Sequence, residues 1–159
     1  MQMLLIGTDY KISPVNIREQ ISISKSDLDK ALCKLSSYDG INEIVILSTC
    51  NRTEFYIASF DLDQALKSFE KFLKDEKDIH FKDFSNYFYI YYNRFAAEHL
   101  YRVTCGIESL VLGETEILSQ VKHSFFTAKE IGLTNKIFNS LFKFVIETGK
   151  KVRTETNLW

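Results

Sequence analysis

Residues 43–59 read E-I-V-I-L-S-T-C-N-R-T-E-F-Y-I-A-S, in which a polar turn separates two apolar runs. The first run, 44–47, is short and rich in β-branched residues, which predicts a buried strand. The second run, 54–59, carries large apolar side chains at alternate positions and predicts another strand. If the two strands pair as an antiparallel hairpin, Cys50 lies at its tip or just beyond it. The rest of the sequence can be interpreted as the fold that holds this thiol in place.

The segments on either side of the hairpin also have the periodicity of regular structure. Before the hairpin, the chain begins with an apolar run. A capping region of serine and aspartate comes next, and leucines at helical spacing follow it. From residue 94 onward the period is helical. The predicted elements are strands at 3–8, 41–47, 54–59 and 87–92, helices at 15–21, 28–35, 61–75, 95–103, 113–131 and 135–152, and a charged loop at 75–83.

This order predicts an α+β fold. The first part matches the ferredoxin-like β-α-β-β-α-β pattern, or split βαβ, which forms an antiparallel sheet, and three helices follow it. We expect residues 1–93 to form the ferredoxin-like catalytic subdomain that carries Cys50. We expect residues 94–159 to form a helical subdomain that completes the site.

The composition is that of a soluble globular protein. The 159 residues are 45% hydrophobic and carry a net charge of −1, so nucleic-acid binding would require a local basic patch. The three cysteines have no C-x-x-C spacing, which indicates neither a zinc site nor a disulfide framework. The chain contains no apolar run of the ~20 residues that span a membrane, and its start does not resemble a signal peptide. The cytoplasm is therefore the expected compartment.

Cys50 is the first candidate for chemistry. A thiol reacts as thiolate, and a turn with backbone N–H groups and a neighbouring cation such as Arg52 would favour that form. The alternative is a small buried residue at a strand end. Arg52 either binds a substrate carboxylate through its planar fork or forms a surface pair with Glu54. Thr49 and Asn51 are also explained by turn formation alone.

Further candidates lie in the helical part. His99 is one helical turn from apolar neighbours, so it is either a satisfied core histidine or a pocket residue that hydrogen-bonds a substrate carbonyl. Glu114 begins the apolar face of a predicted helix, where it either satisfies the helix dipole or accepts a substrate ammonium. Ser109 precedes this helix as a cap or a ligand, and Glu116 and Gln120 lie one turn apart on a neighbouring face.

Two stretches resemble the signature motifs of one enzyme family. S-T-C-N-R-T-E at 48–54 and G-I-E-S-L-V-L-G-E-T-E-I-L-S-Q-V-K at 106–122 are similar to the two signatures of the glutamyl-tRNA reductases. V-R-T-E-T at 152–156 resembles a third motif. L-I-G-T-D-Y-K-I-S-P-V-N-I-R-E at 5–19 resembles the family's opening, usually G-x-x-H-x-x-A-P-x-x-x-R-E. The likeness covers the whole chain in the expected order.

The resemblance implies a mechanism and a set of site residues. The Cys50 thiolate would attack the ester of glutamyl-tRNA, free tRNA would leave, and NADPH would reduce the thioester to glutamate-1-semialdehyde, the first committed precursor of tetrapyrroles. His99 would orient the ester or polarise its carbonyl. Arg52 would bind the side-chain carboxylate and Glu114 the α-ammonium. The implied glutamate pocket consists of Thr49, Asn51, Arg52, Ser109, Glu114, Thr115, Glu116 and Gln120.

The chain also departs from the family pattern. The usual G-E-P-Q-I-L is G-E-T-E-I-L here, so Thr115 and Glu116 replace a proline and an amide, and Glu116 adds negative charge near a site for an anionic side chain. Tyr10 or Asp9 stands where the opening histidine is common.

The family places an NADPH domain and a dimerisation domain after the third motif, and this sequence contains no glycine-rich nucleotide loop. We therefore expect a catalytic fragment without metal that forms the thioester and slowly hydrolyses it, with an aminomutase as the partner that receives the full enzyme's product. The competing hypothesis is a non-catalytic module that binds tRNA or a protein.

Overall fold

The protein is built on one sheet with helices on both of its faces. The computed structural model describes residues 1–156. The strands are β1 (Gln2–Asp9), β2 (Glu43–Ser48), β3 (Arg52–Ser59) and β4 (Tyr89–Tyr92). The helices are α1 (Val15–Ile21), α2 (Leu28–Ser36), α3 (Leu62–Lys77), α4 (Phe81–Phe84), α5 (Arg94–Thr104), α6 (Glu116–Glu130) and α7 (Lys136–Glu155), and a 3₁₀ turn covers Ser85–Tyr87.

The sheet topology confirms the predicted ferredoxin-like fold. The four strands have the order β2-β3-β1-β4, and every neighbouring pair is antiparallel. Helices α1 and α2 connect β1 to β2, and α3 and α4 connect β3 to β4. Because β3 lies between β1 and β2, the first βαβ unit is split. The three helices α5, α6 and α7 follow β4, as expected.

Neighbouring side chains of β3 show that both faces of the sheet are covered. Phe55 packs against Phe69 and Phe72 of α3, with ring centroids 4.9 and 6.1 Å away. Tyr56 points to the opposite face and packs against Phe142 of α7 at 5.9 Å. All residues of β3 are consequently buried. The polar residues of this strand therefore lie in the interior, which the alternating pattern of the sequence did not indicate.

Glu43 joins the sheet to the last helix. Its carboxylate accepts hydrogen bonds from the backbone N–H groups of Asn135 (2.6 Å), Ile137 (3.2 Å) and Phe138 (2.9 Å) at the start of α7. These are the N–H groups that a helix leaves without intrahelical partners, and a negative charge is favourable at this end of the helix dipole. A buried acid in β2 thus fixes where α7 begins.

Two predicted boundaries were wrong. The segment 75–83 is not a loop throughout, because Ile79 is buried and Phe81 packs on the core at a centroid distance of 6.2 Å from Phe69, so α3 runs on to Lys77 and α4 follows. The helix predicted from 113 begins at Glu116, because Gly113 has a φ of 76° and a turn precedes the helix.

The predicted division of the chain at residue 93 stays a prediction. Buried residues from both parts contribute to one hydrophobic core. The last residues of the second predicted part, 157–159, lie outside the described residues. Of the helices described, none has the length and apolar character required to cross a membrane.

Candidate functional site

Cys50 lies at the tip of the β2–β3 hairpin, as the sequence predicted. The connecting loop is residues 49–51, and the cysteine is exposed. Thr49 Oγ1 accepts hydrogen bonds from the N–H groups of Asn51 (3.1 Å) and Arg52 (3.2 Å), and the Thr49 N–H donates to the Arg52 carbonyl at 2.7 Å. The turn is therefore fixed by its own threonine. The alternative of a buried structural cysteine was wrong.

A small cavity lies beside this turn and is formed by the two signature segments. Its volume is about 30 Å³. Apart from Ile117, its lining consists of predicted site residues: Thr49, Cys50, Asn51, Arg52, Ser109, Glu114, Glu116 and Gln120. The structure thus brings together residues that are distant in sequence. Thr115 and His99, the remaining predicted residues, are not among those that line it.

A buried carboxylate, Glu54, lies behind the turn. Its Oε1 accepts a hydrogen bond from the Tyr56 hydroxyl at 2.7 Å. Its Oε2 accepts from Arg52 Nη1 at 3.3 Å, contacts His99 Nε2 at 2.5 Å, and also accepts from the Tyr89 hydroxyl. We call these five residues the Glu54 cluster. It is a satisfied polar network inside the protein, where an unpaired charge would be strongly unfavourable.

The environment keeps Glu54 ionised. Burial alone raises the pKa of a carboxyl group, but the charge and hydrogen bond of His99, the charge of Arg52 and the hydrogen bond from Tyr89 lower the pKa of Glu54 to about 2. Burial and the Glu54 charge also raise the pKa of Tyr56 and of Tyr89 well above the ordinary value. Both tyrosines therefore stay protonated and act as donors to the carboxylate.

Gly7 of β1 makes room for this cluster. In the sheet register it lies opposite Glu54 on β3 and opposite Tyr89 on β4. A Cβ atom at Gly7 would be 2.8 Å from Tyr89 Cε2 and 2.9 Å from Glu54 Cγ. A side chain at this position would push the two residues apart. The close approach of backbone and side chains thus requires glycine here.

Arg52 connects the Glu54 cluster to the cavity. Its side chain is 2% exposed, so the predicted surface pair with Glu54 was wrong and the pair is buried. Besides Glu54, its Nη1 lies 3.9 Å from Asp9 Oδ2, and its Nη2 donates to the Glu108 carbonyl at 2.6 Å. The guanidinium that lines the cavity is therefore held in one orientation from several directions.

Glu108 anchors the loop that carries Ser109 and Glu114. Its carboxylate pairs with Lys11 Nζ at 2.5 Å and Arg102 Nε at 2.7 Å. Although burial raises the pKa of Glu108, the hydrogen bonds and charges of these two cations lower it to about 2. The loop is thus tied to the sheet beside the cavity at a residue that was not among the predicted site residues.

His99 lies behind the cavity. It is buried on α5, its ring packs against Tyr89 and Tyr91 at centroid distances of 5.2 and 5.3 Å, and its Nε2 contacts Glu54. This is the geometry of a satisfied core histidine. Its connection to the cavity runs through Glu54 and Arg52.

Three residues around the cavity were not predicted as site residues, and the sequence contained a signal for only one of them. Glu54 was considered only as a partner of Arg52, although a carboxylate within an otherwise apolar strand is itself a signal of a buried, paired charge. Tyr89 and Glu108 gave no such signal, because their contacts depend on strand register and loop conformation.

The described residues contain neither a grouped set of metal ligands nor a glycine-rich dinucleotide turn. Within residues 1–156, no three His, Cys, Asp or Glu side chains are grouped as metal ligands. The sheet is antiparallel, whereas dinucleotides bind where a glycine-rich turn follows a strand of a parallel sheet. The described part of the chain therefore contains no dinucleotide site of that type.

Comparison with known sequences gives a consistent result. A family model described as "Glutamyl-tRNAGlu reductase, N-terminal domain" matches residues 6–156. The chain is 44% identical over 158 residues to a glutamyl-tRNA reductase of Carboxydothermus hydrogenoformans and covers 35% of that relative. It is 40% identical over 158 residues to the Bacillus subtilis protein of the same name and again covers 35% of it. In both comparisons 99% of the chain is matched.

A solved structure supports the same relationship. The structure of "Glutamyl-tRNA Reductase from Methanopyrus kandleri" matches with a TM-score of 0.80 and 27% sequence identity. The match covers 97% of the chain described here and 35% of that structure. The chain thus spans about a third of the length of the relatives it matches.

Proposed function

The chain belongs to the glutamyl-tRNA reductase family, where it corresponds to the N-terminal domain, and on this premise we propose that Cys50 is the nucleophile that takes the glutamyl group from glutamyl-tRNA. The observation that carries the proposal is the exposed cysteine at a fixed hairpin tip, beside a cavity lined by the second signature segment. A thiol in this position is accessible to an ester and has polar groups around it that can orient the substrate.

The proposed step is an acyl transfer. Cys50 loses its proton to solvent, and the sulfur forms a bond to the carbonyl carbon of the glutamyl ester. The bond between that carbon and the ribose oxygen breaks, and the oxygen leaves with the electron pair and takes up a proton. The products are a glutamyl thioester on Cys50 and free tRNA.

The charges around the cavity suit the two ends of a glutamyl group. The immobilised guanidinium of Arg52 would attract the side-chain carboxylate, and Glu114 would accept hydrogen bonds from the α-ammonium. Ser109, Thr49, Asn51 and Gln120 supply neutral polar groups. Glu116 lines the same cavity, and its negative charge opposes binding of the anionic side chain.

We assign His99 a positioning role. It contacts Glu54, which in turn pairs with Arg52, so the imidazole helps to fix the guanidinium that faces the cavity. Thr115, which does not line the cavity, is proposed only to shape the start of α6.

The described residues would carry the reaction as far as the thioester. In the family, NADPH would supply the hydride that converts the thioester to glutamate-1-semialdehyde for tetrapyrrole synthesis, and an aminomutase would take up that product. Without reduction, water would hydrolyse the thioester and the chain would act as a slow esterase.

Trapping the thioester tests the proposal. The chain is incubated with glutamyl-tRNA, quenched in acid and digested, and the modified cysteine is identified by mass spectrometry. We expect the adduct on Cys50. Cys33→Ser is the matched control, because Cys33 is also exposed but lies on α2, and it should retain the adduct. An adduct absent at every pH, or shared equally with Cys33, contradicts the proposal and favours a non-catalytic binding module.

A further inference from the structure

A second, larger cavity lies beside the Cys50 turn. Its volume is about 300 Å³, at the lower end of the range for small-molecule sites. It is lined by residues 49–51 together with Val15, Arg18, Glu19 and Ser22 from the α1 region. Both cavities are therefore bordered by the same hairpin loop, and Cys50 contributes to the lining of each.

Arg18 is the cation of this second cavity. Its Nη1 donates to the Ser13 carbonyl at 2.6 Å, and its Nε donates to the Cys50 carbonyl at 3.4 Å. These contacts hold the guanidinium next to the nucleophile through neutral oxygens. Among the residues described, no carboxylate forms an ion pair with Arg18, in contrast to the buried pair of Arg52 with Glu54. The Glu19 carboxylate lines the same cavity but forms no ion pair with Arg18, so the remaining N–H groups of this positioned guanidinium can donate to a phosphate.

The other lining groups fit the remainder of a nucleotide. Val15 is 56% exposed and offers an apolar surface to a base. Glu19 is exposed and can accept a hydrogen bond from a ribose hydroxyl. An apolar contact, an acceptor and a guanidinium, all within one cavity beside the nucleophile, correspond to the base, sugar and phosphate of one nucleotide.

We propose that the cavity of Val15, Arg18, Glu19 and Ser22 binds the terminal nucleotide of the aminoacyl-tRNA, the leaving group of the acyl transfer, with Arg18 contacting a phosphate. This inference rests on the proposed function. The glutamyl part lies in the smaller cavity and the nucleotide in the larger one, so the scissile C–O bond lies beside the Cys50 sulfur. When the C–S bond forms, the ribose oxygen departs on the Arg18 side and is protonated there by water.

The test compares two esters that differ only in the leaving group. Single-turnover acylation of Cys50 is measured with glutamyl-tRNA and with a small alkyl ester of glutamate that has no nucleotide. Arg18→Ala should lower the ratio of the two rate constants by about 10- to 100-fold, the size expected for a lost charge-assisted hydrogen bond. Arg18→Lys, which keeps the charge without the fork, should give an intermediate ratio.

Salt dependence provides a second measurement. The apparent affinity for glutamyl-tRNA should depend less steeply on salt in Arg18→Ala, with the slope of its logarithm reduced by about 0.7 to 1 for one lost phosphate contact. The matched control is Arg94→Ala. Arg94 is an exposed arginine near Met3, at the opposite end of β1 from Arg18. This control should change neither the ratio nor the slope.

The outcomes separate the two proposals. An unchanged ratio in both Arg18 variants, or equal slowing with the two esters, overturns the nucleotide site while leaving the acyl transfer intact. If neither ester acylates Cys50 in the unmodified chain, the proposed function fails, and the nucleotide site fails with it.

Discussion

Cys50 and Arg52 are two residues apart in sequence, yet they occupy opposite environments. Cys50 is exposed at the hairpin tip, where few contacts depend on its side chain. Arg52 is 2% exposed and belongs to the Glu54 cluster beneath the tip. The comparison suggests a division of roles. The proposed nucleophile contributes little to stability, whereas the groups that position the site are part of the protein core.

The largest expected effect is on activity at the tip. Cys50→Ser should reduce acylation of residue 50 by roughly a thousandfold or more, because a serine hydroxyl is a far weaker nucleophile at neutral pH. The free energy of unfolding should change by less than about 0.5 kcal/mol, as for other surface substitutions. Acylation assays and urea unfolding measure the two quantities. A large loss of stability would show that the cysteine also supports the fold.

Substitution in the Glu54 cluster, unlike substitution at the hairpin tip, should mainly lower stability. Glu54→Gln should lower the free energy of unfolding by about 3 kcal/mol, because the buried Arg52 charge loses its nearer carboxylate, at 3.3 Å, and keeps only Asp9 at 3.9 Å. Acylation should fall as well, since Arg52 loses its fixed orientation. Urea unfolding and the acylation assay are the measurements.

A matched control distinguishes the site from stability alone. Glu43→Gln removes another buried carboxylate, whose bonds hold the start of α7, roughly 20 Å from Cys50 along β2. It should lower stability and leave acylation of the folded protein unchanged. Equal loss of activity in the two variants would contradict a specific role for the cluster.

The pH dependence of stability should differ between the unmodified chain and the Glu54→Gln variant. The pKa of Glu54 is about 2 in the folded state and 4.5 ordinarily, so its ionised form stabilises the fold fully above pH 4.5, and this contribution is lost as the pH falls towards 2. The stability gap between the unmodified chain and Glu54→Gln should therefore shrink by on the order of 3 kcal/mol between pH 6 and pH 2.

Urea unfolding at a series of pH values measures this gap. Glu108, whose pKa is also lowered to about 2, titrates in both proteins and cancels in the difference. A gap of constant size down to pH 2 would show that the Glu54 charge does not carry the stabilisation.

The smallest effect is expected at the rim of the cavity. Glu116→Gln should raise acylation by glutamyl-tRNA about two- to fivefold, because it removes an exposed negative charge near the anionic substrate side chain, and exposed charge pairs contribute at most about 1 kcal/mol. The initial acylation rate at low salt is the measurement. Glu130→Gln, at the other end of α6, is the control and should leave the rate unchanged. A slower Glu116→Gln enzyme would assign that carboxylate a binding role.

The sequence was sufficient to predict the fold and most of the cavity lining. The apolar run at 44–47, the position of Cys50 between two strands and the helical period after residue 94 are local patterns, and each has a local physical cause. The Glu54 cluster could not be predicted in the same way. Its members Tyr89 and His99 meet Glu54 only through the register of β1 with its two neighbours and the packing of α5.

The site residues illustrate the same limit. Resemblance to a family placed Ser109, Glu114 and Gln120 near Cys50, and they line one cavity in the structure. It also suggested that His99 orients the ester or polarises its carbonyl, which stays a prediction; in the structure the imidazole contacts the buried Glu54 carboxylate. A motif records which residues occur together, and only coordinates distinguish a residue that faces the cavity from one that supports it.

Gly7, which leaves room for Glu54 and Tyr89, has a consequence for the substitutions that this protein can tolerate during evolution. Because one carboxylate satisfies a guanidinium, an imidazole and two phenols, loss of Glu54 leaves four partners unsatisfied at once. A side chain at Gly7 would displace that carboxylate and disturb the same bonds. A compensating change must then arise at more than one position simultaneously. Variants that lose Glu54 should therefore be less abundant as folded chains in the cell, apart from any catalytic defect.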